Sequence, residues 1–227
     1  MVNFIKNYYH NNSAKLLLSL LFFVLALIVF VVITNEVILE KEETIDFMVF
    51  KFLQTHFISD QVTGSMYAIT QLSSVQLMKI AYPLLIIVLL IFKNYRKALF
   101  TFVAGGGGLL LIYGMKMFYE RPRPSFPILY KEESFSFPSG HATFSFIFYG
   151  TLAYFIWLTD LPKTWKYITM TFLVLLSLAI GFSRVYLHVH YASDVLGGFC
   201  LGYSWLFLMI YTFRRFFPLN LIRKTLL

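Results

Sequence analysis

The chain has 227 residues, of which 59% are hydrophobic and only 13% charged, and its mean hydropathy is +0.72. A soluble domain carries about 25% charged residues, so this composition excludes one and implies a polytopic membrane protein. The net charge of +8 does not indicate nucleic acid as a partner, because the basic residues fall mostly in short loops and termini and form no stripe with interleaved aromatics.

Residues 1–15 are polar and basic, and 16–34 form an uncharged apolar run long enough for a bilayer span of about 20 residues. The run exceeds the apolar core of about 7–15 residues in a signal peptide, and no small-x-small cleavage site follows, so it reads as a retained first span. Residues 36–60 are acidic and partly amphipathic. Ile45, Met48, Val49 and Phe52 fall at i, i+3, i+4 and i+7 while Glu42, Glu43, Asp46 and Lys51 take other positions, which predicts a short interfacial helix within 41–58. It reads as a connector in the headgroup region, with part of a lipid entry rim as the alternative.

The next apolar region, 66–92, is interrupted by Lys79, which reads as snorkelling to the interface, with a supporting role at a polar site as the alternative. Lys93, Arg96 and Lys97 then form a basic turn, and 98–115 is the third span. The four glycines at 105–108 lack the Lys-Ser or Lys-Thr and the preceding strand of a phosphate-binding loop. They read as close helix packing, as do Gly198 and Gly202. Residues 120–139 are polar and proline-stiffened, and spans four to six follow at 142–159, 167–182 and 195–213. The single cysteine, Cys200, lies in an apolar run and forms no intrachain disulfide. The expected fold is all-α: a polytopic membrane protein with six transmembrane helices and a short interfacial helix between spans one and two, forming a single domain over 1–227.

Between 116 and 194 this hydrophobic chain gathers charged and imidazole side chains that need a chemical reason. Lys116, Arg123 and Arg184 are three fixed cations suited to a doubly charged tetrahedral oxyanion, which the arginines can grip in bidentate fashion. Ser139 and Gly140 precede a long apolar run, placing their amides at a helix N-terminus, where anions are favoured. His190 and Asp194 are spaced i, i+4, so on a helix the carboxylate can fix the imidazole tautomer and leave the other nitrogen as a nucleophile. His141 remains for proton transfer. These residues point to capture and cleavage of a phosphate ester. Glu132 and Glu133 read as a solvated loop pair, and His188 as structural, because no third ligand has suitable spacing to make His188 and His190 a metal site.

Lys116, six residues, then Arg123-Pro124; Pro138-Ser139-Gly140-His141; and Ser183-Arg184, five residues, His190, three residues, Asp194 stand in order and unsubstituted. This pattern resembles the three signature motifs of the type 2 phosphatidic-acid phosphatase superfamily, in particular its bacterial members of the phosphatidylglycerophosphate phosphatase B kind. The resemblance covers roughly the last half of the chain. It implies a phosphohistidine mechanism with His190 as nucleophile held by Asp194 and His141 as general acid and then base. Lys116, Arg123, Ser139, Gly140 and Arg184 would form the phosphate cradle, and neither metal nor other cofactor would be required.

With a cytoplasmic N-terminus, Lys93, Arg96, Lys97, Lys163 and Lys166 lie in cytoplasmic connections and Arg214, Arg215, Arg223 and Lys224 in a cytoplasmic C-terminus, as the positive-inside rule requires. Lys116, His141, Arg184, His190 and Asp194 then lie at four helix ends on the extracytoplasmic face of the cell membrane. The expected substrate is a phospholipid monoester, phosphatidylglycerophosphate or phosphatidic acid, with undecaprenyl diphosphate as the alternative. A non-enzymatic lipid or anion transporter would need the cations without the nucleophile.

Overall fold

The computed structural model describes residues 2–217, with side chains from residue 17 onward. Among them the regular structure is helical throughout. α1 (Val2–Thr34) runs into a π-helical turn (Asn35–Leu39), followed by α2 (Thr44–His56), α3 (Asp60–Gln71), α4 (Val75–Ile91), α5 (Tyr95–Tyr119), α6 (Gly140–Trp157), α7 (Lys163–Tyr186) and α8 (Ala192–Phe216). Arg223 and Lys224 lie outside the described residues.

The apolar region read as one run at 66–92 is broken. Ser74 caps α4 by accepting a hydrogen bond from the Leu77 amide at 3.2 Å, and residues 72–74 turn the chain between α3 and α4. The turn is docked on α6: Tyr149 donates to the Leu72 carbonyl at 2.7 Å, and Ser73 to the His141 carbonyl at 3.1 Å. Lys79 is exposed on α4.

Among the described residues, five segments are long and apolar enough to cross a membrane: Leu17–Leu39, Asp60–Ile91, Tyr95–Tyr119, Lys163–Tyr186 and Ala192–Phe216. α6, expected as the fourth of six spans, is not among them. The reason is its place at the centre of the bundle, packed on α5, α7 and α8. Its surroundings are other helices, so it carries buried Thr143, Ser145 and Thr151 where a lipid-facing helix would carry aliphatic side chains. Thr143 donates to the Gly198 carbonyl at 3.0 Å, and the Ser145 and Ser177 hydroxyls are 3.0 Å apart.

Most of the glycines expected to pack helices closely act as contact points, Gly106 excepted. A Cβ at Gly105 would lie 2.5 Å from the Tyr82 ring, at Gly107 2.3 Å from Trp205, and at Gly198 2.8 Å from the Ser139 carbonyl oxygen. That last neighbour is backbone and cannot rotate away. Gly198→Ala should therefore force α8 from the start of α6 and cost about 1–3 kcal/mol, read as a lower melting temperature in detergent. Gly106→Ala, which meets nothing within 4 Å, should leave the melting temperature unchanged or raise it.

α2 turns its predicted apolar stripe outward. Ile45, Met48 and Phe52 are exposed, while Asp46, Phe50 and Leu53 are buried. Phe50 and Leu53 pack with Val185, Tyr191 and Val195 of the α7–α8 corner. An outward apolar face suits a helix lying at the membrane interface.

Candidate active site

One end of the bundle collects the C-termini of α5 and α7 and the N-termini of α6 and α8. α5 stops at Glu120, whose φ of 46° is left-handed, and prolines at 122 and 124 keep the following chain from resuming a helix. α7 ends through His188, whose φ of 54° lets the Val189 and His190 amides turn back to the Arg184 carbonyl at 3.2 and 3.3 Å. This reversal carries His190 to the site.

His190 is 1% exposed. Its Nδ1 lies 3.4 Å from Asp194 Oδ2 and 3.3 Å from Ser136 Oγ. Ser136 gives its single proton to Asp194 Oδ2 in a short contact, so its lone pairs can only accept from Nδ1–H. The arrangement therefore sets the proton on Nδ1 and leaves Nε2 with a lone pair, to which Arg123 Nη1 donates at 3.1 Å. Burial first, then the positive charges of Arg123, Arg184 and Lys116 and the nearby His141, hold His190 well below the ordinary imidazole range. At neutral pH it is uncharged.

Three cations surround it. Arg123 donates to the Val189 carbonyl at 2.7 Å and to the Ser134 carbonyl at 2.5 Å, and pairs with Glu132 at 2.7 Å. Arg184, fully buried, donates from Nη1 to Thr70 at 2.9 Å and Tyr130 at 2.6 Å, and from Nη2 to Glu132 in a short contact. Its Nε is buried without a partner among the described residues. Lys116 donates to the Phe135 carbonyl. Glu132 thus bridges the two arginines, where a solvated loop position was expected; Glu133 is exposed.

Ser139 is the N-cap of α6, but its amide is taken by the Asp194 carbonyl at 3.0 Å. The expected free Ser139 amide is thus replaced by a tie between α6 and α8. The amides available at the first turn of α6 are those of Gly140 and His141. His188 has its ring 4.4 Å from that of Phe50 and is buried. His188→Asn, which keeps a side chain tolerant of positive φ, should retain turnover within a few fold; loss comparable to that of a His190 variant would place His188 in the chemistry.

Spacing along the chain missed Arg121, Asp46, Ser136, Thr70 and Tyr130, which hold the expected residues in place. Ser136 and Arg121 both reach Asp194, Arg121 from Nη1 to Oδ1 at 2.7 Å. The signal for Asp46 was its alignment with Phe50 and Leu53 at i, i+4 and i+7, a second stripe on α2 that ends in a charge.

The chain is similar to phosphatidylglycerophosphatase B of Bacillus subtilis, 39% identical over 132 residues, which span 56% of this chain and 64% of that relative's length. It is also similar to dolichyldiphosphatase 1 of Dictyostelium discoideum, 29% identical over 157 residues, 64% of this chain and 67% of that one. The crystal structure of a transmembrane PAP2-type phosphatidylglycerolphosphate phosphatase from Bacillus subtilis superposes with a TM-score of 0.72 at 28% identity, covering 87% of this chain and 96% of that chain. The PAP2 superfamily pattern matches residues 95–218, which contain every helix end that builds this site, and the chain belongs to that superfamily.

Proposed function

We propose that this protein is an integral membrane lipid phosphatase that hydrolyses a phospholipid monoester, phosphatidylglycerophosphate or phosphatidic acid, at the extracytoplasmic face through a phosphohistidine. The observation that carries the reading is an Asp194-oriented His190 whose Nε2 lone pair faces Arg123, with Arg184 and Lys116 close by. A pocket evolved only to bind an anion has no use for a nucleophile held in one tautomer.

In this mechanism the substrate phosphate replaces the Glu132 carboxylate between Arg123 and Arg184, and Lys116 and the Gly140 amide complete the cradle. Nε2 attacks phosphorus as the P–O bond to the lipid alcohol breaks, and His141 gives its proton to the departing oxygen. His141 then takes a proton from water, whose oxygen displaces Nε2 and releases inorganic phosphate. The three cations stabilise charge on the phosphoryl oxygens, a task that metals perform in other phosphoryl-transfer sites.

Membrane orientation is inferred from charge. Lys93, Arg96, Lys97, Lys163, Lys166, Arg214 and Arg215 lie at the bundle end opposite the site, and α6 counted as a span gives six crossings with both termini cytoplasmic. A cysteine at exposed Glu133 should react with impermeant thiol reagents in intact cells; reaction only after the membrane is opened would reverse the orientation.

The dolichyldiphosphatase likeness favours polyprenyl diphosphate as the second reading. Phosphate release from phosphatidylglycerophosphate, phosphatidic acid and undecaprenyl diphosphate, measured in mixed micelles with chelator, separates the two. Turnover of a monophosphate in chelator is the expected result. Turnover of the diphosphate alone selects the second reading, and a dependence on added divalent metal would overturn the metal-free account.

A further inference from the structure

The Asp194 carboxylate has two oxygens with different duties. Oδ2 receives the Tyr191 amide at 2.9 Å, the Ser136 hydroxyl and His190 Nδ1, while Oδ1 is held by Arg121 Nη1 at 2.7 Å. Arg121 does not reach His190 or the cradle. Its Nη2 is bound instead to Asp46 Oδ2 at 3.0 Å and, at 3.3 Å, to Glu43 Oε1 just before α2, and its guanidinium lies 4.1 Å from the Tyr191 ring centroid. Asp46 also accepts the Ser193 amide at 2.9 Å and the Ser193 hydroxyl at 2.5 Å, in the first turn of α8. Arg121 and Asp46 are each 3% exposed, and Asp194 is 0% exposed.

Burying a cation between two carboxylates costs desolvation that hydrophobic packing would avoid, so such a cluster calls for a specific use. One planar guanidinium spanning two carboxylates fixes their relative position in a way that a single ammonium cannot. Asp46 fixes Arg121 and the first turn of α8; Arg121 fixes Asp194; Asp194 fixes the His190 tautomer. We propose that Arg121 and Asp46 are positioning residues for the nucleophile, so that the docking of the interfacial helix α2 sets the orientation of the His190 imidazole. The segment before the motifs is therefore part of the catalytic apparatus without touching substrate. The inference rests on His190 being the nucleophile of the proposed reaction.

Asp46→Asn and Arg121→Lys test it, beside wild type, in mixed micelles. Asp46→Asn keeps the acceptor for the Ser193 amide and loses the charge; Arg121→Lys keeps the charge and loses the two-sided grip. Both should lower kcat by about 10–100-fold, the range seen when the partner orienting a functional ligand is removed. KM and the inhibition constant of inorganic phosphate should stay within about 2-fold, because Arg123, Arg184 and Lys116 are untouched. Side-chain 15N shifts of labelled His190 should show the proton on Nδ1 in wild type and shared between both nitrogens in Asp46→Asn. A purely structural role would lower the melting temperature and the folded fraction, but not kcat per folded molecule or the tautomer. Wild-type kcat in both folded variants overturns the proposal, as does a phosphate inhibition constant that rises in step with the fall in kcat. If wild type itself releases no phosphate, the phosphatase reading fails separately. The 15N measurement still decides, since it needs no turnover: an unchanged tautomer in Asp46→Asn overturns the positioning role.

Discussion

His190→Gln is expected to lower kcat by at least about 10⁴-fold while leaving phosphate binding nearly intact, the largest effect of any single substitution in this chain. Glutamine can occupy the space and accept from Arg123, but its amide has no nucleophilic lone pair to form a bond to phosphorus. Quenching wild type during turnover of labelled lipid should leave label on the protein that survives base and is lost in acid, as a phosphoramidate requires, and His190→Gln should carry none. Label that is stable to acid, or present in the variant, would move the nucleophile elsewhere. The pH profile gives a second check. Since burial and the neighbouring cations push His190 below the ordinary imidazole range, its neutral form persists as pH falls. After correction for the substrate's own ionisation and for the protonated fraction of His141, the limb of kcat/KM that reports protonation of His190 should fall below about pH 6.5, the unperturbed imidazole value. A decline centred at 6.5 would indicate an exposed, unperturbed imidazole.

How far the chain could be read in advance follows from the range of each interaction. The all-helical membrane fold was legible because apolar runs report on lipid locally, one segment at a time. The pairing of His190 with Asp194 was legible from their separation of four residues, although His190 stands just before Tyr191, the N-cap of α8, and not on the helix as expected. α6 was the least legible of the six expected spans, since its neighbours are protein and its buried Thr143, Ser145 and Thr151 lower its hydropathy. The break at 72–74 was hidden because leucine and serine are tolerated within an apolar run, and the Tyr149 hydroxyl and His141 carbonyl that hold it belong to α6, about 70 residues away. Glu132 shows the same limit. An acidic pair on a loop is solvated more often than not, and only the arrival of Arg123 and Arg184 on either side makes one of the two an ion-pair bridge.

Asp194→Asn should lower kcat by about 10³–10⁴-fold with the fold retained, because the carboxylate is surrounded by donors alone. Oδ2 accepts from Tyr191, Ser136 and His190 Nδ1, and Oδ1 from Arg121. An amide offers one acceptor and one donor where two acceptors are needed. With its oxygen toward His190, its NH2 meets the Arg121 guanidinium and leaves a buried cation short of a partner. With its NH2 toward His190, it demands an acceptor at Nδ1, which moves the imidazole proton to Nε2 and removes the lone pair that attacks phosphorus in the proposed reaction. Either orientation disables the proposed nucleophile, while Arg123, Arg184 and Lys116 keep their place in the proposed cradle. The expected signature is a fall in kcat, an inhibition constant for phosphate within about 2-fold of wild type, and no labelled intermediate. Ser136→Ala, which removes one donor to Oδ2 and leaves the charge, should fall between this variant and wild type, losing about 10-fold. If Asp194→Asn kept kcat within 10-fold of wild type, the tautomer would not be under the control of Asp194, and the chain of contacts from Asp46 through Arg121 would have no route to the chemistry.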